Sequence, residues 1–161
     1  MDLGTAFDVA VARKPKALAL VDGEIRRDFV SWQDDIRRVA SGLSALGLTR
    51  GHHLVCVMAN RYEMATLYWG CQMLGAVFTP FNWRATSDDI AFVLSDSEPH
   101  LIAFDDATAV AVQVAANEVG LPEEALISVG DSLPGTCFSD LLKFEPVVGP
   151  VGGQESDICL M

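Results

Sequence analysis

The sequence predicts an α/β domain, a mostly parallel sheet flanked by helices on both faces, with a hairpin at its N-terminal end. Short apolar runs at 53–59, 76–78, 101–104 and 125–129 alternate with longer amphipathic stretches, which is the rhythm of βαβ units. The run 53–59 shows no apolar/polar alternation, as expected of a strand covered on both faces.

The elements follow in order. Leu3, Phe7 and Val11 recur at intervals of four and predict a helix over 3–13, ended by Lys14-Pro15. Residues 17–21 and 24–30 read as two strands joined at Asp22-Gly23, a pair suited to a tight turn. Ser31 is the expected cap of the next helix, whose face is Trp32, Ile36, Val39, Ala40 and Leu43 and whose end is Gly47. After the strand 53–59, Asn60 is expected to cap a helix over 61–74. That helix is apolar nearly all round, so Trp69 should be deeply packed. Further helices are predicted at 86–95 and 107–119. Residues 130–156, rich in Gly and Pro, form a loop-rich segment around a short helix near 138–143, and 157–161 begin another strand. Residues 1–161 make a single domain, because one core is all that a chain of this length supports well.

Composition narrows the function. The formal net charge is -11, and such a field repels nucleic acid and anionic membrane surfaces, so neither is an expected partner. The N-terminus lacks a basic region followed by an apolar stretch, and no apolar run is long enough to span a bilayer; the expected location is cytoplasmic. Cys56, Cys71, Cys137 and Cys159 stand apart without metal-ligand spacing and read as free thiols.

Few residues suggest chemistry. Gly42 and Gly47 have the spacing of a phosphate loop, but Leu48-Thr49 stands where Lys-Ser/Thr is needed, and the pair ends a helix instead of opening one. His52 and His53 are adjacent on a strand and point to opposite faces. Asp34-Asp35, Asp88-Asp89 and Asp105-Asp106 sit near predicted helix starts, where the dipole favours negative charge. The most suggestive cluster is Asn82-Trp83-Arg84, after the carboxyl end of a predicted strand, where α/β sheets place ligands. Its alternative is a turn organised by Asn82, with Arg84 paired to a carboxylate.

The order of segments resembles the adenylate-forming superfamily, the AMP-forming acyl-CoA synthetases and ligases. Phe29-Val-Ser-Trp-Gln-Asp-Asp35 is similar to the family's first core motif, and Val55-Cys-Val-Met-Ala-Asn60 to the strand before its second large helix. Leu74-Gly-Ala-Val-Phe-Thr-Pro-Phe-Asn82 resembles the second core motif, and 88–100 the helix and turn after it. The match is collinear from about residue 15 onward. Asn82, where peptide-synthetase adenylation domains tend to carry Asp, favours acyl- and aryl-CoA ligases. The resemblance implies the N-terminal portion of a longer enzyme. That enzyme would join a fatty or aromatic carboxylic acid to CoA through an acyl adenylate made from Mg-ATP. It places no catalytic, cofactor-binding or metal-ligating residue on this chain. The phosphate loop, the magnesium-binding Glu and the lid with its catalytic Lys all belong to later motifs, so the chain is expected to be inactive alone. The alternative is a stand-alone, non-catalytic α/β domain that binds a small ligand or a partner. The acid and the oligomeric state stay open; exposed apolar surface could pair the domain as a homodimer.

Overall fold

The computed structural model describes all residues, Met1–Met161. The helices are α1 (Leu3–Arg13), α2 (Phe29–Ala45), α3 (Tyr62–Leu74), α4 (Ser87–Ser97), α5 (Ala109–Val119) and α6 (Phe138–Leu141). The strands are β1 (Leu18–Asp22), β2 (Ile25–Asp28), β3 (His53–Val57), β4 (Val77–Phe81), β5 (Leu101–Asp105), β6 (Leu126–Val129) and β7 (Thr136–Cys137). β1 and β2 form the antiparallel hairpin, and the other five make a wholly parallel sheet in the order β4-β3-β5-β6-β7.

β3 lies inside the sheet, with Val55 level with Thr79 of β4 on one side and Ile102 of β5 on the other. The winding therefore reverses after β4, and right-handed crossovers put α3 on one face and both α4 and α5 on the other. The sheet divides the interior accordingly. Leu54, Cys56, Met58, Phe78, Leu101, Ala103 and Ile127 point into a core of 24 buried residues shared with α1, α2, α3 and α6. Val55, Val57, Ile102, Phe104 and Leu126 point into a core of 12 under α4 and α5. This alternation of side-chain direction in strands buried on both faces is what an unbroken apolar run encodes.

Helix ends show where local reading succeeds. Gly47, Gly75 and Gly120 each take positive φ just past a helix, as a C-terminal glycine does. Thr86 and Asp89 form a capping box at α4. At α2 the expectation fails: Asp28 is the cap, accepting from the Ser31 N–H at 2.8 Å, so Phe29 and Val30 are helical and not strand. Asn60 does not cap α3 either. Asp22, at the end of β1, accepts from the Tyr62 N–H at 2.8 Å across 40 residues. The hairpin turn falls one residue later than expected, at Gly23-Glu24, with only Gly23 at positive φ.

Two more expectations change. Trp69 is half-buried, its ring 4.6 Å from that of Phe7 on α1. A single short helix covers it, so its outer edge meets solvent. Within the loop-rich stretch, Thr136 and Cys137 add a short strand beside β6. The loop after α6 returns to α3, where the Val151 N–H donates to the Met73 carbonyl at 2.9 Å. Gly152 is needed there, because a Cβ would lie 2.2 Å from the Leu74 carbonyl oxygen.

Candidate functional site at the carboxyl edge of the sheet

The reversal of winding decides where a site can form. Connections leaving β3 and β5 diverge to opposite faces and open a crevice at the carboxyl ends of these strands. Asn60 and Arg61 follow β3, and Asp105 ends β5 and leads into Asp106 to Thr108. Phe81 ends β4, and Asn82 to Ala85 follow it.

Arg61 is the centre of this edge. Its Nε donates to Glu63 Oε2 at 2.7 Å, and its Nη1 lies 3.6 Å from Asp105 Oδ2. Burial works against the charged guanidinium. The hydrogen bond to Glu63 and the fields of Glu63, Asp105 and Asp22 outweigh it, and the net shift is upward. Asp105 is 4% exposed. The Thr108 hydroxyl accepts from the Asp105 N–H at 3.2 Å and donates to the Val57 carbonyl at 2.6 Å, which ties the ends of β3 and β5 together. Asp105 therefore faces an arginine from a buried position, a role beyond the helix capping its sequence context suggests.

Beside Arg61 lies a cavity of about 300 Å³. Met64, Ala65 and Tyr68 of α3 form one wall, Phe78 and Pro80 of β4 another, and Leu160 closes the third. The lining is apolar and aromatic, with Asn60 and Arg61 at the mouth, the usual make-up of a small-molecule pocket. On the other side of α3, Tyr62 Oη donates to Asp35 Oδ2 at 2.7 Å, and Arg27 Nε donates to the same oxygen at 2.7 Å. Burial, then the bond to Asp35, pushes the Tyr62 phenol well above its ordinary range, so this tyrosine is a structural donor.

The cluster singled out from sequence is differently arranged. Asn82 Oδ1 accepts from the Arg84 N–H at 3.0 Å and so organises the turn as expected. Arg84 pairs with no carboxylate; its guanidinium lies 4.1 Å from the centre of the Trp83 ring. Neither side chain lines the cavity. Sequence reasoning missed Arg61 and read Asp105 only as a charge near a helix start; the available signal was position, at the carboxyl ends of the central strands flanking the reversal.

The remaining candidates lie elsewhere. Gly42 sits inside α2 against Leu141. His52 stacks on His100 at the opposite edge, with ring centres 4.6 Å apart. Asp34 pairs with Arg38 along α2 at 2.7 Å. The four cysteines are free, Cys56 and Cys71 buried and Cys137 and Cys159 partly exposed. No helix is long and apolar enough to cross a membrane.

Comparison with known proteins gives these features a family. The profile of the family described as AMP-binding enzyme matches residues 7–157. A long-chain-fatty-acid–CoA ligase of Mycobacterium tuberculosis is 31% identical over 81 residues, 50% of this chain and 16% of the ligase. A 4-hydroxybenzoate–CoA/benzoate–CoA ligase of Rhodopseudomonas palustris is 26% identical over 140 residues, 86% of this chain and 25% of the relative. The structure of a benzoate CoA ligase from Burkholderia xenovorans shares the fold, with a TM-score of 0.88 at 19% identity over 99% of this chain and 32% of the ligase chain. This chain thus spans between a sixth and a third of these three ligases. With 151 consecutive residues matching one profile and the parallel sheet laid over a ligase's, the chain belongs to the AMP-binding enzyme family.

Proposed function

We propose that the chain is the N-terminal portion of an ATP-dependent, AMP-forming ligase that joins a fatty or aromatic acid to CoA, and that these residues alone do not catalyse the reaction. The observation that carries this reading is the family match over residues 7–157, in a chain covering 16% and 25% of two such ligases.

The chemistry supports the second half. Adenylate formation needs the triphosphate held by preorganised donors and its charge met by magnesium. No three His, Cys, Asp or Glu side chains come together as metal ligands. At the carboxyl edge Asp105 and Glu63 both pair with Arg61. The glycines at 149, 152 and 153 lie along the loop that returns to α3, where Gly152 meets the Leu74 carbonyl. On this proposal magnesium, ATP and CoA are assigned to the longer ligase, as in the family the chain belongs to. The part played by residues 1–161 is to supply a rigid sheet whose carboxyl edge, with Arg61 and the apolar crevice, forms one boundary of the substrate region.

Calorimetry with Mg-ATP and a pyrophosphate-release assay with fatty and aromatic acids test this on the 161-residue chain and on a chain of full ligase length. The expected result is no binding at millimolar ATP and no turnover by the short chain, with both restored in the long one. Turnover by residues 1–161 would overturn the proposal. Inactivity of the long chain would move the protein to the alternative, a non-catalytic binding domain.

A further inference from the structure

β4 is the edge of the sheet, and its outer side is not bare. Residues 154–161 fold back along it with little burial to hold them: Ile158, Leu160 and Met161 are 65%, 53% and 55% exposed. Their order comes from polar tethers. Arg50, in the turn before β3, donates from Nε to both oxygens of Asp157 at 3.1 and 2.9 Å, and from Nη2 to Gln154 Oε1 at 2.9 Å. Asp157 also accepts from the Gln154 N–H at 2.7 Å, closing the turn from within. Gln72 of α3, which is buried, donates from Nε2 to the Cys159 carbonyl at 3.1 Å. Only then does the backbone ladder form: the Phe78 N–H donates to the Cys159 carbonyl and the Met161 N–H to the Phe78 carbonyl, each at 3.2 Å.

We infer that Arg50 and Gln72 are positioning residues that hold 154–161 as a sixth strand on β4 and so fix the wall of the crevice at the opposite edge of the sheet. The strand is parallel to β4, with Leu160 beside Phe78, and so runs toward the carboxyl edge. Its direction there is set by an ion pair at the amino edge. Ladder bonds alternate from residue to residue, and Val77 bonds inward to His52. Phe78 and Pro80 therefore turn their polar groups outward. Pro80 has no N–H to give, so the ladder weakens beyond Phe78. With so few backbone bonds and so little burial, the bidentate guanidinium geometry of Arg50 supplies the register. The inference rests on the ligase reading only for what the crevice wall serves.

Amide hydrogen exchange on the 161-residue protein tests the geometry, because the Phe78 and Met161 amides are protected only through this strand. In Arg50→Ala both should exchange at least about tenfold faster, while Ile102 and Phe104 in β5 keep their rates. Arg50→Lys, a point charge without the fork, should fall between. Gln72→Met should speed Phe78 in the same direction. The reversal R50D/D157R should bring protection back toward wild type, a rescue that general destabilisation does not give. Unchanged exchange in Arg50→Ala, or a rise shared equally by Ile102, would overturn the inference. In a chain of full ligase length, Arg50→Ala should lower kcat about tenfold, with recovery in R50D/D157R. An unchanged kcat would refute the positioning role. Inactivity of the wild-type long chain would remove the ligase reading while the exchange result still decides whether Arg50 sets the strand.

Discussion

The middle of the sheet and the segment at 154–161, which meets the sheet's edge through one bridge at Leu160, are ordered by different forces. In β5 every residue from Leu101 to Asp105 is buried, and α4 and α5 cover one face while α2, α3 and α6 cover the other. Hydrophobic transfer and close packing hold it, and hydrogen bonds follow because buried amides need partners. Along 154–161 the apolar side chains are more than half exposed, and ion pairing and side-chain amides do the holding. The first kind of order is spread over many side chains. The second is local, polar and removable by one substitution.

That contrast can be broken or sharpened by mutation. Phe104 is fully buried in the smaller core, and Phe104→Ala should lower unfolding stability by about 3–5 kcal/mol in denaturant titration. A loss below roughly 1 kcal/mol would mean that the smaller core is not part of the cooperative unit. A middle case lies between α2 and α3, where Trp32 Nε1 donates to the buried Thr66 hydroxyl at 3.0 Å. Thr66→Val keeps the shape and strands the indole N–H, and should cost about 2 kcal/mol. The smallest effect belongs to the strap. Leu160→Ala removes a side chain that is 53% exposed and should change global stability by less than about 1 kcal/mol. A larger loss would show that the strap is held by burial after all.

How much of this was legible in the sequence follows the same division. The buried strands and amphipathic helices announce themselves in runs and periods, because burial acts on many consecutive residues. The caps of α2 and α3 were missed, since Asp28 lies in what reads as a strand and Asp22 reaches Tyr62 from 40 residues away. Arg61 and Asp105 went unremarked as a pair because their meeting depends on strand order, which a linear pattern does not contain. Arg84 was expected to find a carboxylate and instead covers its neighbour Trp83. Such stacking is as good a use of a guanidinium as an exposed ion pair, whose stabilisation is often negligible. Trp69 is only half-buried, because an almost wholly apolar helix surface indicates contact, but not how completely a short helix such as α1 can cover it.

The partition of the interior by the sheet has a consequence for how the molecule opens. The smaller core is assembled largely from one continuous stretch, α4 through β6, laid over β3 and β5. The larger one gathers segments from both ends of the chain. A fluctuation that lifts α4 and α5 together exposes 12 buried residues while leaving the other 24 packed. The domain is thus built as two packed layers of unequal size sharing one wall. A protease acting on the native protein would find its first cuts in the α4–α5 layer, with α1, α2 and α3 still closed around the hairpin.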